Sequence, residues 1–219
     1  MGQKVNAHVL RLGQNGLTWD SRWFNERQYK EVVLEDFQLR TTLMSKLYHA
    51  GIAKLEIDRS INTIKIIAHV SKPGVVIGRG GAGIEELKRF ITGFFMKKGG
   101  KKMLPRIDIK IEPVKEPNLD AVLVAKNVAD MLIRRLPYKR ILAQTSERVM
   151  GAGAGGVRIV LSGRIGGSEI GRREKIQTGT VPLSTIRERI NYASFPALTK
   201  KGYIGVKVWV HIPEGGKNS

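Results

Sequence analysis

Residues 75–90 read VVIGRGGAGIEELKRF, an apolar run broken by four glycines and an arginine and then resumed with the spacing of a helix. Glycine lacks a Cβ, so the backbone at such a turn can approach a ligand and aim its amides at phosphate oxygens just before a helix N-terminus. Two patterns overlap in these letters. Gly78, Gly80 and Gly83 spell G-x-G-x-x-G, a dinucleotide fingerprint, whereas Gly78, Arg79, Gly80 and Gly81 spell G-x-x-G, a clamp for a polynucleotide backbone.

The surrounding elements separate the two. A dinucleotide site needs a strand leading straight into the glycines and an acidic residue about 20 positions later to hold a ribose hydroxyl. Here Pro73 and Gly74 intervene, and the basic segment KKGGKK (97–102) stands where the acid should be. Another G-x-G-x-x-G, at Gly151, Gly153 and Gly156, lies in the reverse, helix-to-strand order, which shows how little the pattern alone carries. Upstream, Tyr29 to Tyr48 places Val33, Phe37, Leu43 and Leu47 at near-helical spacing. KLEID and INTIKIIAHV then alternate as two strands joined near Ser60–Asn62. Downstream, Ile84, Leu87, Ile91 and Phe94 share a helical face, and RIDIKIE alternates with Ile107, Ile109 and Ile111 toward a core. Helix, strand, strand, G-x-x-G, helix, strand is the order of a type II KH domain. A loop that merely packs against a neighbour is the plainer alternative.

PVKEPN breaks regular structure with two prolines, and Asn118 is a fit N-cap for the next helix. That helix carries Leu119, Val122, Ala129, Leu132 and Leu136. After Pro137 a second helix has Tyr138, Leu142, Thr145 and Val149 as its inner stripe and ends at Gly151. Strands follow at VRIVLSG, around Glu174–Thr178, at RINYASF and at GYIGVKVWVHI. The expected fold is α+β: an N-terminal arm (1–16), a type II KH domain (17–112), a linker (113–118), a two-layer domain of two helices on a four-stranded antiparallel sheet (119–213), and a tail (214–219).

The chain has 38 Lys and Arg against 19 Asp and Glu, a net charge of +19. The excess is shared: 20 basic and 11 acidic residues up to Glu112, 18 and 8 beyond it. Such a surplus exceeds what solubility needs and points to a polyanionic partner contacted by both halves. Cysteine is absent, which removes thiol nucleophiles, disulfides and zinc–cysteine sites. No apolar run has the length of a signal-peptide core or a membrane span, so a cytoplasmic protein without membrane contact is expected.

Within the surplus, Arg134, Arg135, Lys139 and Arg140 cluster where two helices meet, and can present several charges to one strand; a solvated helix end is the plain alternative, since cations suit a helix C-terminus. Lys97, Lys98, Lys101 and Lys102 of KKGGKK offer diffuse phosphate attraction, and Arg164, Arg172, Arg173 and Lys175 offer further contacts, arginines in forked geometry. Aromatics are 6% of residues, so backbone contacts are expected to dominate over stacking. His8, His49, His69 and His211 are isolated, with no metal-ligand spacing, and neither G-x-S-x-G nor a P-loop occurs. No catalytic residue, metal, cofactor or small-molecule substrate is expected.

Assembled, the blocks GQKVN and RLG, PGVVIGRGG, PNLDAVLVA, SGRIGGSEI, VPLSTIR and IGVKVWV make the chain resemble bacterial-type small-subunit ribosomal protein three over nearly its whole length. The resemblance implies a non-enzymatic component of the small-subunit head that binds ribosomal RNA, touches neighbouring head proteins and lines the messenger entry path, on a bacterial or organellar ribosome. It implies that Lys139 and Arg140 help separate paired messenger; a third basic position of some members is Ala143 here. Lys4 and Arg11 of the arm join the expected RNA contacts.

Overall fold

The computed structural model describes residues 4–14, 17–23, 28–60, 62–99 and 106–213, and of residues 97–99 the backbone alone. It divides into two compact units, Trp19–Lys115 and a second that joins Met1–Thr18 to Glu116–Ser219.

In the first unit, α1 (Tyr29–Lys46) precedes the hairpin of β2 (Ile52–Arg59) and β3 (Thr63–Val70), closed by the Ser60 amide donating to the Thr63 carbonyl at 2.8 Å. A single turn, α2 (Pro73–Ile77), leads through the glycines into α3 (Ala82–Gly99), and β4 (Arg106–Pro113) returns parallel to β3. Sheet order is β1-β2-β3-β4, where β1 is a two-residue strand (Ser21–Arg22) parallel to β2 that hydrophobic periodicity does not announce. Arg22 secures it, its Nε 2.7 Å from Asp58 Oδ1 and its Nη2 3.0 Å from Glu56 Oε2. Leu87, Ile91 and Phe95 of α3 close over Ile57, Ile64 and Ile66 of the sheet, with the Ile107, Ile109 and Ile111 row half-buried beside them.

The face of α1 differs from its expected one. Val32, Asp36, Leu39 and Leu43 are buried, whereas Phe37 is 67% exposed. The register was hidden because a carboxylate occupies the core side: Arg59 Nε donates to Asp36 Oδ1 at 2.7 Å and Arg59 Nη1 to Glu35 Oε2 at 2.9 Å. Burial pushes the Asp36 carboxyl above its ordinary pKa, against the pull of Arg59 and Arg40.

In the second unit α4 (Ala121–Ile133) and α5 (Tyr138–Gly151) cover one face of a four-stranded antiparallel sheet, order β6-β5-β8-β7. Its strands are β5 (Gly156–Gly163), β6 (Arg172–Gly179), β7 (Arg189–Thr199) and β8 (Gly202–Ile212). Val157, Ile159 and Leu161 of β5 and Ile204, Val206, Val208 and Val210 of β8 meet Val124, Val128, Leu132, Leu142 and Val149 of the helices. Each of these side chains withdraws apolar surface worth roughly 1.5–3 kcal/mol from water. Asn118 is not the cap of α4. Pro117–Leu119 form a 3-10 turn, and Asp120 caps the helix by accepting from the Val122 and Leu123 amides at 2.8 and 3.1 Å. Among the described residues no helix is long and apolar enough to cross a membrane.

Candidate nucleic-acid interface

The glycines of the first unit serve two different ends. Gly78 has φ +70° and ψ −179°, a conformation open essentially to glycine, and a Cβ there would lie 3.1 Å from the Gly83 amide nitrogen. A Cβ on Gly83 would lie 2.3 Å from the Val76 carbonyl oxygen, so Gly83 lets the start of α3 rest on α2. Gly80 and Gly81, at φ +61° and +83°, have nothing within 4 Å of their Cβ positions. Their backbone borders open space, and Arg79 beside them is exposed, its side chain without a hydrogen bond or ion pair among the described residues. Gly78 and Gly83 thus build the turn, and Gly80, Gly81 and Arg79 are what the turn presents.

At the α4–α5 junction, the Arg135 amide donates to the Leu132 carbonyl at 3.0 Å and the Leu136 amide to the Met131 carbonyl at 3.2 Å, the paired bonds of a Schellman end. The left-handed residue of that motif is usually glycine; here it is Arg135, at φ +61°, the sole non-glycine with positive φ among the described residues. Arg134 and Arg135 are exposed at the C-terminal end of α4, where the helix dipole favours cations. Lys139 and Arg140, also exposed, sit in the first turn of α5, where the dipole disfavours them, and no acidic residue accompanies them there. A cavity of about 430 Å³ opens beside this junction, lined by Arg135, Arg164, Lys200 and Lys201 over Leu136 and Ile204, with no carboxylate among the described residues of its wall.

The remaining expected contacts divide. Lys4, Arg164, Arg172, Arg173 and Lys175 are exposed. Arg164 Nε donates to the Ser168 carbonyl at 2.8 Å, and the Arg172 guanidinium lies 5.7 Å from the Tyr138 ring centre and 3.8 Å from Glu174 Oε1. Arg11 is a correction: it is wholly buried and reaches no solvent-side polyanion. Its guanidinium donates to the carbonyls of Ala7, Pro182, Leu183, Thr185 and Glu188 at 2.8–3.3 Å, tying the arm to the loop before β7. Burial pulls its pKa down while Glu188 supports the charge. Lys97, Lys98, Lys101 and Lys102 fall where no side chain is described.

Sequence reasoning missed one grouping. On the sheet face away from α4 and α5, Tyr192 and Trp209 stand opposite each other with ring centres 5.1 Å apart, and the Arg158 guanidinium lies 5.4 Å from the Trp209 ring. The strict alternation of GYIGVKVWVHI could have placed Trp209 on this face, but its partners come from other strands.

Comparisons with known proteins agree with this architecture. A model described as KH domain matches residues 38–119, and one described as ribosomal protein S3, C-terminal domain, matches residues 128–210. The small ribosomal subunit protein uS3 of Lachnoclostridium phytofermentans is 43% identical over 211 residues, covering 96% of this chain and 92% of that relative. Its counterpart in Agathobacter rectalis is 44% identical over 211 residues, with 96% and 93% covered. That of Clostridioides difficile is 45% identical over 212 residues, with 96% and 75% covered.

Proposed function

The chain belongs to the small ribosomal subunit protein uS3 family, a structural and non-enzymatic one, and on that premise we propose that it holds ribosomal RNA in the subunit head and lines the path by which messenger enters. In this reading the chain works as two cationic modules, 17–112 and 119–213, joined through 113–118. Its partners are small-subunit ribosomal RNA, messenger and neighbouring head proteins, and its place is the ribosome of the bacterial cytoplasm.

One observation carries the messenger role. Lys139 and Arg140 occupy the first turn of α5 without an acidic residue beside them there, at roughly 0.3–1 kcal/mol each against the helix dipole, and neither side chain has a hydrogen bond or ion pair among the described residues. The fold gains nothing from them there, so their charge is spent on something outside the chain. Fixed at separate positions on a helix, these cations can each hold the phosphate backbone of one parted messenger strand, which favours opening without any bond being made or broken. The G-x-x-G turn, with Gly80 and Gly81 open and Arg79 free beside them, is suited to a polynucleotide backbone in the same way. Arg134, Arg135, Arg164, Arg172, Arg173, Lys175 and Lys4 add exposed charge around these points.

The deciding measurement replaces Lys139 and Arg140 with glutamine. The free chain is expected to keep or slightly gain stability and still to co-sediment with small subunits, while particles carrying it translate through a stable messenger hairpin several-fold more slowly. Unchanged passage through the hairpin overturns the entry role, and failure of the unaltered chain to join the particle overturns the assignment to the head.

A further inference from the structure

Residues facing each other across an antiparallel ladder lie on the same side of the sheet, so the registers of the second unit define its outer face residue by residue. One row runs Gln177, Arg158, Trp209, Tyr192; the next runs Lys175, Val160, Lys207, Ser194; a third runs Arg173, Ser162, Gly205, Pro196. These rows carry Arg158, Arg173, Lys175 and Lys207 and not one Asp or Glu. Arg173, Lys175, Gln177, Ser194 and Lys207 are exposed, while Trp209 and Tyr192 are half-buried. Arg158 lies over the indole, and its Nε is enclosed without an acceptor among the described residues. Helices α4 and α5 cover the opposite side.

An antiparallel sheet that leaves one face to water normally mixes charges of both signs there; these three rows show cations alone, arranged around a pair of aromatic rings, and the carboxylate that borders them, Glu188, is held 2.8 Å from His211 Nε2 in the adjoining row. Single-stranded RNA is recognised by that combination: bases unstack onto aromatic rings or guanidinium planes while neighbouring cations hold the phosphates. Charge complementarity excludes a basic partner, and rings grouped with an arginine are of use to a ligand with flat π-faces in a way they are not to a bare polyanion.

We propose that the outer face of the β6-β5-β8-β7 sheet is a single-stranded RNA platform, on which at least one base stacks against Trp209, Tyr192 and Arg158 while Arg173, Lys175 and Lys207 hold the flanking phosphates. This rests on the reading of the chain as an RNA binder but places a second surface on the side of the unit away from Lys139 and Arg140. Stacking, which a low aromatic content argued against, is concentrated here by strand pairing.

The test uses the full chain with Trp19→Phe and Trp23→Phe, so that Trp209 is the single indole of the original three. It is titrated with an unstructured RNA of about ten nucleotides, the scale of one such site, and separately with inorganic polyphosphate and polyglutamate. RNA is expected to quench Trp209 emission strongly, while polyphosphate binds without comparable quenching. Trp209→Leu weakens RNA about tenfold, as loss of one stacked base does. Lys175→Glu combined with Lys207→Glu, at exposed positions that leave the core intact, also weakens it at least about tenfold. RNA binding without quenching, with affinity lost only in Lys139→Glu and Arg140→Glu, overturns the platform and leaves the RNA-binding reading standing. Absence of RNA binding overturns both. Equal quenching by polyphosphate removes stacking, and displacement of RNA by polyglutamate with the same quenching assigns the face to an acidic protein instead.

Discussion

Arg135 stands where a Schellman end calls for glycine, at φ +61°, in a conformation that costs a non-glycine residue roughly 1 kcal/mol. The Schellman bonds need the left-handed backbone but not the arginine side chain, which has no hydrogen bond or ion pair among the described residues; this is consistent with its being kept for what it can bind at the cavity it lines. Arg135→Gly is therefore expected to raise stability by about 0.5–1 kcal/mol in denaturant titration and to weaken RNA binding, whereas Arg135→Lys keeps the strain and most of the binding. A glycine variant no more stable than the original would remove the strain argument. Glu56 is the opposite kind of residue, charged for the sake of the fold. Burial acts to raise its pKa, but Lys54 at 2.8 Å, together with His69 and Arg22, outweighs burial and holds the carboxyl below its ordinary range. A carboxylate whose pKa is lower folded than unfolded adds stability that is present above the unfolded value, about 4.3, and is lost as pH falls through the folded one. The stability gap between the original chain and Glu56→Gln should accordingly be about 1–3 kcal/mol at neutral pH and should close in acid below about pH 4. A gap that persists unchanged at low pH would show that packing, not charge, sets the role of Glu56.

At the scale of elements, the turn between α2 and α3 separates structure from presentation within six residues. Gly83 permits a helix-on-helix approach that any Cβ would block at 2.3 Å from a backbone oxygen. Gly80 faces open space, and its positive φ is tolerable to asparagine or aspartate. Gly83→Ala is expected to lower stability by about 2 kcal/mol or more through forced separation of α2 and α3. Gly80→Asp should stay within about 1 kcal/mol of the original and yet reduce RNA affinity severalfold, because it sets a negative charge where the proposed function lays a phosphate. Thermal melts and RNA titrations of the two variants separate these outcomes; similar stabilities for both would contradict the division. The helices α4 and α5 show a comparable split. Their apolar stripes fill the core, while the turn joining them carries Arg134 and Arg135 outward and the first turn of α5 carries Lys139 and Arg140.

For the whole molecule the governing quantity is net charge, +19 in 219 residues. If about six phosphates are neutralised, a single-strand slope near −0.7 for each gives a log–log salt slope near −4, or roughly two to three powers of ten in affinity between about 50 and 200 mM salt. Replacing Lys139 and Arg140 by glutamine should shallow that slope by roughly 1.4. An affinity insensitive to salt would mean that the charge is not what grips RNA.

The order of elements, the alternation of β3, β4 and β8, the G-x-x-G turn and the shared cationic excess are all consequences of neighbours along the chain. Local periodicity, glycine's missing side chain and composition were enough to read them. What lies between distant residues could not be read this way. Arg11 is charged and near a terminus, which on its own reads as an RNA contact, yet it is held by carbonyls as far away as Glu188, 177 positions along the chain. Asp36 looks like a surface residue until Arg59, 23 positions later, meets it inside. Trp209, Tyr192 and Arg158 are single letters on three strands, and only the pairing of β7, β8 and β5 makes them a surface. The sequence determined which segments are helix, strand or turn, because those depend on backbone preferences over a few residues. The tertiary structure alone decided which charges are internal ties and which face solvent, because desolvation and pairing are set by what chain closure brings to each group.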